Sequence, residues 1–295
     1  MADPILADDR TPTDGPVDDP AARGPVAELR AHWGLYRRLV GAQIRSEWQY
    51  RTSFVLFVTA QAMITALELA AIVIILDVVP DLGGWSTAQV ALLYGLATVP
   101  FALTDVVVSP IEDLSTYVRL GSFDRLLLRP MSAMVQLCAM EFELRRAGKL
   151  IPNVVALAYG LAATDPGWGL GTVLRLGLSL SVGSAVYTAL WITAAAIAFW
   201  LVSAQEATNA LTYGGNFANQ YPLHLYPRWI RAVLGWAVPL AFVAYVPAIE
   251  LLDAPNPLGV PGWFFVASPL VAAAALGVAL LVWSAGIRHY QGTGS

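Results

Sequence analysis

Long apolar runs separated by short polar ones dominate this chain, and six of them stand out, at 54–76, 87–109, about 147–164, 173–202, 232–252 and 263–287. A helix rises 1.5 Å per residue and needs about 20 apolar residues to cross roughly 30 Å of hydrocarbon. Phe54–Leu76 and Trp263–Ile287 meet that length with ease. The third run, Leu150–Thr164, is short, and reaches full length only if Arg145, Arg146 and Lys149 snorkel at its end. The pattern predicts an all-α integral membrane protein with six transmembrane helices over residues 51–290.

Ahead of the first run, Leu29, Trp33, Tyr36, Val40, Ile44 and Trp48 recur every three or four residues, with Arg30, Arg37, Arg38 and Arg45 beside them. This periodicity predicts an amphipathic helix over 25–50, lying in the inner headgroup layer or packed on soluble protein. Residues 1–24 are rich in Pro, Asp and Ala without apolar periodicity, and are expected to form a disordered cytoplasmic tail. They lack the basic stretch and apolar core of a signal peptide.

Charge orients the bundle. If the six runs alternate across a membrane, 16 of the 17 Lys and Arg residues fall on one side, and Arg175 alone falls on the other. Cytoplasmic loops retain basic residues, so both termini are expected in the cytoplasm. The outer connections would be short and acidic, with Asp77, Asp81, Asp165 and Asp253. A composition 57% hydrophobic and 13% charged exceeds what a soluble core can use. Sixteen Arg against one Lys, with abundant Ala, Gly and Val, point to a GC-rich bacterial genome and hence to a bacterial plasma membrane.

Two connections are too elaborate for turns. Residues 110–146 include Glu112 and Asp113 after Pro110, where acidic groups suit a helix start. There follow Gly121-Ser-Phe123-Asp124-Arg125-Leu-Leu-Leu-Arg129-Pro130, whose Phe and Leu side chains need cover from the bundle or from a soluble partner. The second connection, Ser203–Trp229, is polar yet aromatic and contains Asn219, Tyr221, Pro222, Tyr226 and Pro227. It reads as a cytoplasmic segment that wedges between helices or plugs a cytoplasmic vestibule, or is simply solvated.

These two blocks, together with Pro239-Leu-Ala-Phe242-Val-Ala-Tyr245-Val-Pro247-Ala248, resemble the ABC-2 family of permease subunits of ATP-binding cassette exporters over about residues 30–290. The resemblance implies an ABC-2 type exporter fold with six helices, an interfacial helix and a cytoplasmic coupling helix between the second and third spans. It also implies a separate dimeric ATPase subunit and a second permease, the same chain or a related one. On that reading Glu112, Asp113, Gly121, Phe123, Asp124, Arg125, Arg129 and Pro130 form the ATPase-coupling set, with Phe123 as apolar anchor and the charges setting orientation.

Absent motifs agree with that division of labour. No phosphate-binding G-x-x-x-x-G-K-[ST] occurs, since Gly148-Lys149 is followed by Leu150, so ATP hydrolysis is expected on a partner chain. The lone Cys138 excludes an intrachain disulfide, and His32, His224 and His289 lack ligand-spaced companions. No cofactor, metal site, catalytic residue or nucleic-acid partner is expected.

Charge inside a span is costly and therefore informative. Glu68 lies deepest in the first span, with Gln61 and Thr65 nearby on the same helix, a stripe expected to face the transport pathway or a dimer interface. Asp105, near the inner end of the second span, is a partner for Arg51 or Arg119. Three functions fit. The first is a permease exporting a hydrophobic or amphipathic compound (drug, antibiotic or lipid), the second an ion-coupled secondary transporter or channel, and the third an intramembrane enzyme or scaffold.

Overall fold

A computed structural model describes residues 25–78, 83–129, 131–201, 204–252 and 256–290. The acidic tail, Asp81, Pro130 and Asp253 lie outside these residues. Among the described residues there are helices and no strands. In chain order the α-helices are α1 (Pro25–Gln49), α2 (Arg51–Val78), α3 (Thr87–Val107), α4 (Leu114–Arg119), α5 (Phe123–Leu127) and α6 (Ala133–Met140). They continue as α7 (Leu150–Thr164), α8 (Leu170–Ala196), α9 (Ala204–Asn219), α10 (Arg228–Ala232), α11 (Tyr245–Leu252) and α12 (Trp263–His289).

Among the described residues four helical stretches are long and apolar enough to cross a membrane, Arg51–Ile74, Thr87–Val107, Leu170–Phe199 and Trp263–His289, or five if the bent pair Arg228–Gly235 and Leu240–Leu252 is one span. The four coincide with the first, second, fourth and sixth predicted runs. α3 forms the hub: 83% of its spanning window is buried, against 11% for α2, so α2 offers its surface to lipid or to another chain. A capping box starts α3, in which the Gln89 amide donates to Ser86 Oγ and the Ser86 amide donates to Gln89 Oε1.

The third run forms α7, which packs on α3 at backbone distance. A Cβ on Gly95 would sit 2.5 Å from Leu157 Cα, and one on Gly160 would sit 2.5 Å from the Leu92 amide nitrogen. Only glycine permits this seam, the small-residue packing typical of helices in lipid. The basic residues ahead of α7 do not all snorkel: Arg146 and Lys149 turn inward and pair with Asp105.

The fifth predicted span, 232–252, is not a straight crossing. Helical stretches Arg228–Gly235 and Leu240–Leu252 meet at 72°. Near their bend, Ala237, Val238 and Pro239 share a cavity with Val186, Ala189 and Leu190 in the middle of α8. α11 then leads back to Glu250, whose carboxylate lies 3.7 Å from Arg175 near the start of α8. Pro239 lacks an amide hydrogen and so lets the backbone turn there.

Segment 203–229 likewise departs from expectation. Ser115 Oγ donates to Gln205 Oε1 at 2.7 Å, which fixes the start of α9 beside α4. Thr208 Oγ1 then donates to the Ala194 carbonyl at 3.0 Å, and Tyr187 Oη donates to Asn216 Oδ1 at 3.1 Å, farther up α8. His224 ends beside Gly83 and Trp85, its ring centroid 6.1 Å from that of Trp85, at the opposite end of α3. Residues 204–225 therefore run from one end of the bundle to the other, rather than forming a connection confined to one face. Their polar residues hid this because Thr208, Thr212 and Asn219 are buried against protein rather than lipid.

Candidate functional site: a polar cavity and a buried ion cluster

α2, α3, α7 and α9 enclose a cavity of about 740 Å³. The stripe predicted on the first helix, Gln61, Thr65 and Glu68, forms one wall. Tyr94 and Thr98 of α3, Asn153 of α7, and Tyr213, Asn216, Gln220 and Tyr221 of the α9 region line the rest. Asn153 is fixed in place, its Nδ2 donating to the Thr98 carbonyl at 3.2 Å and its Oδ1 accepting from Tyr94 Oη at 3.4 Å. At one end the Lys149 ammonium lies 5.6 Å from the Tyr213 ring centroid. The cavity combines aromatic faces with amide and hydroxyl groups, the Glu68 carboxyl and the Lys149 amino group.

Lys149 links the cavity to a cluster of charges. Asp105, fully buried, accepts from Lys149 Nζ at 2.6 Å and from Arg146 at 3.1 Å. These are its partners in place of Arg51 or Arg119. Arg146 also donates to Ser109 Oγ at 2.9 Å, to Glu112 at 3.3 Å and to Glu143 at 2.8 Å. Burial raises the Glu112 carboxyl above the usual carboxylate range, with the Arg146 charge opposing the shift. The cluster ties the end of α3 to residues 109–113 and to the turn entering α7.

The expected coupling residues separate into buried and exposed groups. Glu112 belongs to the ion cluster, and Asp113 is half-buried, its carboxyl raised by burial and then by Glu141. Gly121 adopts φ +66°, the left-handed turn that divides α4 from α5. Phe123 is fully buried, with its ring 5.4 Å from Phe199 and 5.1 Å from Tyr290. The bundle supplies its cover, so Phe123 holds the loop down and presents no surface to a partner. Asp124 is half-buried near Tyr290, while Arg125 and Arg129 are exposed. Leu120 and Leu128, 71% and 85% exposed, lie in the same connection as the exposed Arg119, Arg125 and Arg129.

The second block packs largely against the bundle, with Pro227 exposed. Asn219 Nδ2 donates to Tyr187 Oη at 3.3 Å, Tyr221 lines the cavity, Pro222 is buried, and Tyr226 Oη donates to the Ala218 carbonyl at 2.8 Å. Pro227 precedes α10. Asn153 and Tyr213 went unremarked in the sequence; an Asn within the apolar run Leu150–Thr164 was the available signal.

Long apolar helices around a polar, aromatic cavity define a multi-pass helical membrane protein. A family model described as ABC-2 family transporter protein matches residues 62–294, and the chain belongs to that family. Members are transmembrane subunits of ABC transporters and typically pair with an ATPase subunit. No curated protein and no solved structure matches the chain significantly.

Proposed function

We propose that this chain is the permease of an ATP-driven exporter, with six crossings formed by α2, α3, α7, α8, α9 with residues 220–225, and α12. The 228–252 hairpin enters from the outer side. Fourteen of the 17 basic residues then precede α2 or belong to the end bearing residues 109–149, which makes that end and both termini cytoplasmic in a bacterial plasma membrane. The observation that carries the reading is the family match, joined to the exposed Leu120 and Leu128 patch on the basic end.

A cytoplasmic ATPase dimer docks on that patch, Leu128 serving as apolar contact and Arg125 and Arg129 setting orientation. Its motion passes through Glu112, Arg146 and Asp105 to α3 and α7, and so to the cavity. Aromatic walls with few charges suit a hydrophobic or amphipathic cargo of the drug, antibiotic or lipid class. A second permease, the same chain or a sibling, covers the exposed face of α2.

The test is mild-detergent purification of the tagged chain from its native cells, with mass spectrometry of the co-purifying proteins. Recovery of a P-loop subunit is expected, together with its loss from Arg125→Glu and Leu128→Asp variants that still reach the membrane. Recovery of the chain alone after crosslinking would overturn the reading in favour of an ion-coupled transporter or channel. Full ATPase retention by both variants would refute the docking surface.

A further inference from the structure

A second cavity, of about 390 Å³, lies apart from the first, between the 228–252 hairpin and the start of α12. Its walls include Phe242, Val246, Val260 and Phe264, and Arg228, Arg231 and Tyr245 also line it. A water occupies about 30 Å³ in the liquid, so a bridging water would not fill this space, which falls in the range of small-ligand sites.

Its polar groups are unmatched. Neither guanidinium has a carboxylate within ion-pair distance among the described residues, and Glu250, the nearby acid of α11, faces Arg175. Tyr245 is 1% exposed, yet its hydroxyl has no hydrogen-bond partner, although its ring stacks on Trp85 at 5.7 Å. A buried hydroxyl left without a partner costs free energy that a bound acceptor would recover. An exposed Arg228, a half-buried Arg231 and the Tyr245 hydroxyl beside an apolar slot suit one chemistry: an anionic head carrying several acceptor oxygens, joined to a hydrocarbon tail.

We infer that this slot binds an anionic phospholipid of the surrounding bilayer, its phosphodiester held by Arg228, Arg231 and the Tyr245 hydroxyl and one acyl chain lying along Phe242, Val260 and Phe264. Arginine suits the role because its fork of N–H donors matches phosphate oxygens. The bound lipid fastens the hairpin to α12, so the site is independent of which compound is exported.

The test is native mass spectrometry of the purified full-length protein titrated with phosphatidylglycerol and with phosphatidylcholine of the same acyl chains. The wild type should retain phosphatidylglycerol in clear preference. The double variant R228Q/R231Q should lose that preference, weakening phosphatidylglycerol about tenfold, the equivalent of one charge-assisted hydrogen bond, while leaving phosphatidylcholine unchanged. Tyr245→Phe preserves the ring stack on Trp85 and should weaken phosphatidylglycerol several-fold at unaltered elution volume, so it carries the test should the double variant fail to assemble. Equal retention of the two lipids by the wild type, or wild-type retention of phosphatidylglycerol in the variants, would overturn the assignment.

Discussion

Replacing Gly95 by alanine adds one methyl group at the tightest point between α3 and α7. That methyl carbon would lie 2.5 Å from Leu157 Cα and 2.6 Å from Leu157 Cβ. Carbon atoms rest at about 3.5 Å or more, so α7 would have to withdraw by about 1 Å. Because Leu92, Leu96, Leu157 and Leu161 are buried along this seam, withdrawal forfeits their contacts as well. Overpacking of this kind costs about 1–3 kcal/mol, roughly a 5- to 150-fold loss in the folded-to-unfolded ratio. The Asn153–Thr98 bond, already 3.2 Å long, would stretch past hydrogen-bonding range and add about 1 kcal/mol. The helix preference of alanine over glycine, about 1 kcal/mol, acts in the opposite direction.

That opposing effect can be measured separately. Gly177 in α8 and Gly277 in α12 have open space where a Cβ would stand, so Gly177→Ala and Gly277→Ala report the backbone gain alone. Heating detergent-solubilised, fluorescently tagged protein and following the monodisperse peak by size exclusion should show Gly95→Ala melting below the wild type and the two controls at or above it. Gly160→Ala should resemble Gly95→Ala, and the pair together should cost less than the sum, since α7 withdraws only once. Gly95→Ala melting with the controls would refute the seam.

Asp105→Ala removes the buried counter-charge of Lys149 and one of three for Arg146, and removing one member of such a buried pair costs about 3–5 kcal/mol. Folded protein on size exclusion should fall sharply, and Asp105→Leu with Lys149→Met should recover part of it, since Arg146 keeps Glu112 and Glu143. Equal yields from Asp105→Ala and the wild type would exclude a structural role for the cluster. Glu68→Gln should change export of the cargo while leaving accumulation intact, as expected of a wall group in the 740 Å³ cavity. Unaltered transport with normal assembly would remove Glu68 from the pathway.

What the sequence disclosed and what it concealed follow from one distinction: hydropathy reports what surrounds a helix, not whether the helix crosses. α2 and α12 lie mostly exposed on the outside, α3 and α8 are apolar and buried, and all four were legible as runs. α9 was missed because Thr208, Thr212 and Asn219 face protein, where hydrogen bonds to α8 replace water. The 232–252 run is apolar enough for a span, and hydropathy does not report its 72° bend between Arg228–Gly235 and Leu240–Leu252, next to Pro239. Phe123 was legible as an apolar group needing cover, but the residues that supply it, Phe199 and Tyr290, are remote in sequence.

In the proposed topology α9 and the 228–252 hairpin offset each other in the crossing count. Counting α9 as a crossing and the hairpin as none leaves the number even, so the chain termini keep their common side while Arg228 and Arg231 change sides. The charge asymmetry weakens from 16 to 14 of 17 basic residues and keeps its direction. These two arginines line the apolar slot, and among the described residues no carboxylate lies within ion-pair distance of either. An arginine pair in a cytoplasmic loop needs no explanation; in the proposed topology the same pair stands at the other end of the bundle beside the Tyr245 hydroxyl, where an anionic lipid headgroup from the bilayer would complement it.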